Sequence, residues 1–147
     1  MKPFALHAVL AYRKRLEDNA RQRLLDAKKV MEVIANKLRE EQESFAALIE
    51  KTERLKMEGI NILELVLYEE QITRGEGNIE AIEKNLRDKT EIVQREQQNL
   101  LRRAKDRRIM ERLKERQDLA WKGYLDKKEL AMLDELAITR HDSGENH

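Results

Sequence analysis

The stretch Leu55-Lys56-Met57-Glu58-Gly59-Ile60-Asn61-Ile62-Leu63-Glu64-Leu65 decides the fold, because it holds a helix stop and a helix start within a few residues. Gly59 has no Cβ to oppose left-handed backbone, so it suits the position just past a helix end. Ile60 would then return to touch Leu55, as in a Schellman stop. Asn61 suits the N-cap of a second helix, with Glu64 three residues on as its capping-box partner. Ile60 and Leu65 fall at the staple positions on either side of that cap. The chain is therefore expected to reverse at Glu58 to Asn61. A second candidate, Gly75-Glu76-Gly77-Asn78, carries two glycines but has Ala81 where a capping carboxylate would stand. It reads as a kink or frayed turn inside the second helix.

Outward from the turn, both flanks carry a helical heptad. Alternating steps of four and three from Leu6 land on Leu10, Arg13, Glu17, Ala20, Leu24, Ala27, Met31, Ile34, Leu38, Glu41, Phe45, Leu48, Thr52 and Leu55; eleven of these fifteen are apolar. That is the narrow seam of a coiled coil rather than the wider stripe of a globular-core helix. Pro3 stands where a first helical turn tolerates it. Beyond Gly77 the seam resumes at Ile79, Ile82, Leu86, Val93 and Leu100, then turns polar at Arg103 and Arg107 before Met110. Folding at Gly59 pairs residues whose numbers add to about 118, which sets Arg103 and Arg107 opposite Arg13 and Glu17. The polar breaks in the two seams coincide. The expected fold is all-α, a long antiparallel two-helix coiled-coil hairpin whose second helix is the longer. It occupies 1–140 as a single domain: helix 1 over about 4–57, the turn at 58–61, helix 2 over about 62–140, and a disordered polar tail at 141–147. Residues after about 114 then have no partner on helix 1.

Composition supports this and removes other classes. Charged residues make 40% of the 147-residue chain, proline occurs once and aromatics are 4%, where about 25% charged is usual. A sheet domain would want β-branched and aromatic residues with frequent turns. No cysteine is present, so no disulfide, thiolate metal site or cysteine nucleophile exists. No apolar run approaches the roughly 20 residues of a membrane span, and Met1-Lys2-Pro3-Phe4 does not open a secretory signal. His7, His141 and His147 have no metal-ligand spacing. Carboxylate pairs such as Glu40/Glu41 and Glu69/Glu70 read as solvated helix surface. No phosphate-binding glycine loop occurs. The expectation is no enzyme, no cofactor and no metal. A net charge of +1 gives no global pull towards nucleic acid. The segment 102–116 has eight basic residues, but Asp106, Glu111 and Glu115 interrupt it and no leucine heptad follows. It fits a leucine-zipper DNA reader poorly.

Two apolar clusters fall outside the seam's needs. Trp121, Tyr124, Leu125, Leu130, Leu133 and Leu136 lie where helix 1 cannot reach, and exposed aromatics beside leucine mark binding surfaces. Ile60, Ile62, Leu63, Leu65, Val66 and Leu67 are too many for one face of a two-stranded coil. Some of them must be exposed or meet a partner.

Three motifs carry a resemblance over nearly the whole chain. Phe4-x-Leu6-x-x-Val9-Leu10-x-x-Arg13 with Glu17 and Ala20 resembles the opening of the FliJ family, the small coiled-coil component of the bacterial flagellar type III export apparatus. Gly59-Ile60-Asn61 followed by Leu67-Tyr68-Glu69-Glu70-Gln71-Ile72 is similar to that family's turn and the stretch after it. Glu129-x-x-Met132-Leu133-Asp134-Glu135-x-Ala137 resembles its closing motif. The resemblance implies an antiparallel coiled coil similar to the central stalk of rotary ATP synthases. It implies binding to the hexameric export ATPase, to the cytoplasmic domain of the export gate protein and to export chaperones. It also implies a cytoplasmic location, peripheral to the inner membrane at the flagellar base. Gate contact is implied beside the tip, at Phe45 and Leu48 on one side and Leu67, Tyr68, Gln71 and Ile72 on the other. The ATPase contact is implied at the end carrying the termini, with Trp121, Tyr124, Leu125 and Leu133. The family often has aromatics where this chain has Leu48 and Gln71, and Gly75 and Gly77 interrupt a stretch that is usually helical. Two other readings stand beside this one: the stalk of a virulence secretion system, and a coiled coil that only self-associates.

Overall fold

The computed structural model describes residues 3–145, with side-chain burial for 5–141. Two helices account for it, α1 at Pro3–Glu58 and the longer α2 at Ile62–Glu145. They pack as a hairpin. Gly59 has φ of 94°, the one positive φ among the described residues, and it breaks the helix. Asn61 Oδ1 accepts the Leu63 N–H at 3.1 Å, an N-cap bond to the second helical position. The only backbone hydrogen bond outside the helices among the described residues is Leu65 N–H to Asn61 C=O. The stop is thus made by the glycine's backbone and the following cap rather than by the Schellman bond.

Burial follows the heptad. All fifteen positions from Leu6 to Leu55 are buried or half-buried. On α2 the same alternation of three and four runs through Leu65, Tyr68, Ile72, Gly75, Ile79, Ile82, Leu86, Lys89, Val93, Glu96, Leu100, Arg103, Arg107, Met110, Lys114 and Gln117, each at least half-buried. Thr52 is the most buried side chain, 1% exposed. Its hydroxyl donates to the Leu48 carbonyl at 2.8 Å, and Thr90 bonds Leu86 in the same way. Back-bonding to the preceding turn lets a hydroxyl sit near the seam without a stranded donor.

The chain divides into two compact units, Met1–Asp18 with Arg102–His147, and Asn19–Leu101. In the second, Arg23 Nε lies 3.7 Å from Glu96 Oε1 and the Lys51 ammonium lies 5.6 Å from the centre of the Tyr68 ring. In the first, Arg13 lies 3.7 Å from Asp106, and Arg107 donates to Glu17. The polar breaks expected to coincide do meet, with Asp106 rather than Arg103 facing Arg13.

Two sequence expectations differ from the structure. Helix α2 runs unbroken through Gly75–Asn78, and neither glycine takes positive φ. Gly75 is a seam residue: a Cβ there would stand 2.8 Å from Cδ2 of Phe45. The glycine makes room for the ring, so it marks a close approach rather than a frayed turn. Gly77 has nothing within 4 Å of its would-be Cβ. The polar end also differs, since α2 continues to Glu145 where the sequence suggests a disordered tail from His141; residues 146–147 lie outside the described part.

The two glycines should respond oppositely to alanine. Gly77→Ala should raise stability by up to about 1 kcal/mol, the helix-propensity difference. Gly75→Ala should lower the thermal midpoint, because the Phe45 ring must move. Urea titration of both variants checks the signs. Gly59→Val should destabilise the hairpin by roughly 1–2 kcal/mol through backbone strain alone, since no neighbour stands within 4 Å of a Cβ there.

Candidate functional site

A helix with one helical neighbour has one covered face, so its interaction surfaces are the apolar side chains outside the seam. At the turn, the six residues singled out for gate contact separate. Phe45, Leu48, Tyr68 and Ile72 are half-buried seam residues, while Leu67 and Gln71 are exposed. Phe45 is committed to Gly75, and the Tyr68 ring is covered by Lys51. The exposed apolar residues here are instead Met57, Ile62, Leu63, Val66 and Leu67, from 46% to 89% exposed. At about 100° per residue, Ile62, Leu63, Val66 and Leu67 share the side of α2 away from Leu65, Tyr68 and Ile72. Met57 escaped the sequence reading because it stands alone at the end of α1; its departure from the 3.5-residue seam was the available signal. Shallow open grooves beside this patch are lined by Val66, Glu69, Glu70, Thr73 and Arg74, and by Lys51, Glu64, Leu67, Tyr68 and Gln71.

The second surface belongs to the C-terminal part of α2. From 118 to 141 every residue is exposed, a length of about 36 Å of helix. Trp121 and Tyr124 stack with ring centroids 5.7 Å apart and planes at 28°. Leu125 neighbours Trp121 on the helix surface, whereas Leu133 falls on another side with Leu130. Leu119, Met132 and Ile138 join the exposed set. Leu119, Leu130 and Leu133 face one way, Trp121, Leu125, Met132 and Leu136 a second, and Tyr124 and Ile138 a third. Leu119 and Ile138 were not among the residues the sequence singled out, and Met132 entered only through the closing motif.

The most covered charge in the seam is Glu17, which meets Arg107. The Glu17 side chain is 8% exposed and that of Arg107 22%. Arg107 donates from Nε to Glu17 and from Nη1 to Glu111 Oε1, the latter at 2.8 Å. Hydrogen bonding to Glu17, then to Glu111, raises the guanidinium pKa further above its ordinary value. The guanidinium therefore stays charged at any accessible pH. No group of three or more His, Cys, Asp or Glu able to hold a metal occurs among the described residues. No helix there is long and apolar enough to cross a membrane.

A heptad-paired helical hairpin whose unsatisfied surface is apolar, in two separate places, defines a helical interaction protein. The chain belongs to the FliJ family: the family model described as Flagellar FliJ protein matches residues 1–145. It is thereby a component of the flagellar export apparatus, from a family that is structural rather than catalytic. No curated protein and no solved structure matches the chain.

The ion network makes a testable demand on the seam. Arg107→Leu should lower the thermal midpoint, because the covered Glu17 carboxylate loses its charge-assisted bond to the guanidinium. Glu17→Leu combined with Arg107→Leu should recover the loss or exceed it, since an apolar pair needs no desolvation of charge. Thermal melts of the three variants give the comparison.

Proposed function

We propose that this chain is a non-enzymatic export component that seats the 118–141 part of α2 in the export ATPase hexamer. The turn end meets the cytoplasmic domain of the export gate protein, and the chain also handles export chaperones. The observation that carries the reading is the distribution of apolar side chains on 118–141. A helix apolar on one side wants one neighbour; a helix apolar on several sides wants to be surrounded. A ring of subunits closing round a helix supplies such an environment. Alternating charges among these leucines, with Lys122, Lys127, Lys128, Asp126, Glu129 and Asp134, suit ring subunits that present both signs. The match to a flagellar family supports the flagellar system over a virulence one. A peripheral place at the inner membrane then follows from its partners.

The gate contact shifts in residues from those implied by resemblance. Leu67 and Gln71 remain available, while Phe45, Leu48, Tyr68 and Ile72 are occupied in the seam. Gate binding therefore draws on Leu67 with Ile62, Leu63 and Val66.

Truncation before Trp121 tests the ring. Residues 1–120 retain every seam position on both helices, so the hairpin should stay folded by circular dichroism. Stimulation of ATPase hexamer formation, read by light scattering, should fall to the level without the protein. Unchanged hexamer formation with the truncated chain would remove the stalk reading.

A further inference from the structure

The turn end carries an apolar face and, beside it, an excess of unpaired negative charge. Ile62 and Val66 form one row and Leu63 and Leu67 a second, each spaced i to i+4 on the outer side of α2. All four are exposed, the first of each row by more than 70%. One turn further along, the first row runs into Glu70, with Glu69 at its edge, and the second into Gln71. Glu58, Glu64, Glu69 and Glu70 are exposed and make no ion pair among the described residues. Lys56 is engaged by Glu53 at 3.6 Å, and Lys51 lies over the Tyr68 ring while keeping its charge. Over 50–76 seven acidic residues stand against four basic ones, so the turn end is acidic even with Lys51, Arg54 and Arg74 counted.

We infer that the outer face formed by Ile62, Leu63, Val66 and Leu67 docks a basic amphipathic helix of a partner protein. This rests on reading the turn end as a partner surface, and names the chemistry of what binds there. Charge selects among the occupants of an apolar face. A second copy would bring its own four carboxylates against these, and like charges disfavour that pairing. An anionic lipid surface is disfavoured for the same reason. A helix with an apolar stripe edged by lysine or arginine satisfies both features. Two rows at i and i+4 form ridges that accept another helix's side chains between them. The acidic end of the face also sets direction, because basic residues of the incoming helix must lie towards Glu69 and Glu70. A third helix would extend the packing that already joins α1 and α2, on the side of α2 that α1 leaves uncovered.

The test uses the full chain and two fluorescein-labelled helical peptides sharing one leucine stripe, one edged with lysine and the other with glutamate. Anisotropy titration should show the lysine peptide binding at least about tenfold more tightly. Leu63→Asp with Leu67→Asp should weaken it by about tenfold or more, the scale of a central interface pair. Glu69→Lys with Glu70→Lys should weaken it similarly and improve binding of the glutamate peptide. Val33→Ala, on α1 and outside this face, should leave it unchanged. Circular dichroism on each variant establishes that the hairpin is intact. Equal binding of both peptides, no binding, or binding insensitive to the tip substitutions would overturn the inference. So would dimerisation, or flotation with phosphatidylcholine–phosphatidylglycerol vesicles, that depends on Leu63 and Leu67. The gate domain gives a separate reading: if it still binds Leu63→Asp/Leu67→Asp, the gate role survives and this face is not its site. If the lysine peptide binds as expected while the gate domain binds no form of the chain, the face stands and the gate reading falls.

Discussion

Each helix of this protein has only one other helix to pack against. One neighbour covers one stripe, and the rest of the circumference faces water. That limit determines what each position tolerates. A seam residue must fill or fit the space against the opposing helix, which is why Thr52 turns its hydroxyl back to Leu48 and why Gly75 gives way to the Phe45 ring. A residue off the seam is free to be charged, and 40% of the chain is. The polar break follows the same rule. Glu17 and Arg107 are both seam positions, and the guanidinium donates across the seam to the covered carboxylate. Such a pair contributes little net stability compared with leucines. It does penalise any sliding of the helices that would strand either charge, so we regard it as a register device.

The seam was legible because periodicity is a property of the sequence itself. Steps of three and four from Leu6 mark the positions that prove buried or half-buried, including the polar ones. The turn was legible because Gly59 and Asn61 act locally, through backbone conformation and one side-chain bond. Gly75 was not, and the reason is instructive. Helix propensity treats glycine as a weak point, but its role here depends on a residue thirty positions away. Local reasoning assigns the cost and misses the fit.

The candidate site was less readable than the fold. Phe45 and Leu48 lie on the heptad that starts at Leu6, yet family resemblance marks them for a partner; periodicity was the better guide to where they face. Tyr68 and Ile72 continue the corresponding heptad of α2, which the Gly75 position hides from an apolar count. By contrast, Ile62, Leu63, Val66 and Leu67 announce themselves as a surplus. Six apolar residues between Ile60 and Leu67 exceed what one seam uses, and the structure puts Leu65 and Ile60 inward and these four outward. Surplus apolar residues in a two-helix fold are thus a stronger signal of exposed apolar surface than aromatic identity.

The two surfaces differ in kind, and that difference bears on what each binds. Elsewhere before residue 118, exposed large apolar residues stand alone, as Leu25 does, or in pairs such as Val30 with Val33 and Ile109 with Leu113, which is ordinary for a protein surface. At the turn four of them share one side of α2 next to carboxylates without ion-pair partners. That arrangement has a direction and a sign, so it selects a ligand with one apolar stripe and a basic edge. On 118–141 the apolar residues occupy several sides and both charges are interleaved, so no single flat neighbour satisfies them. Enclosure does, because each wall of an enclosing partner meets a different row. On the proposed reading, the same chemistry of leucine and charge specifies two kinds of partner by angular distribution: one that lies alongside and one that surrounds.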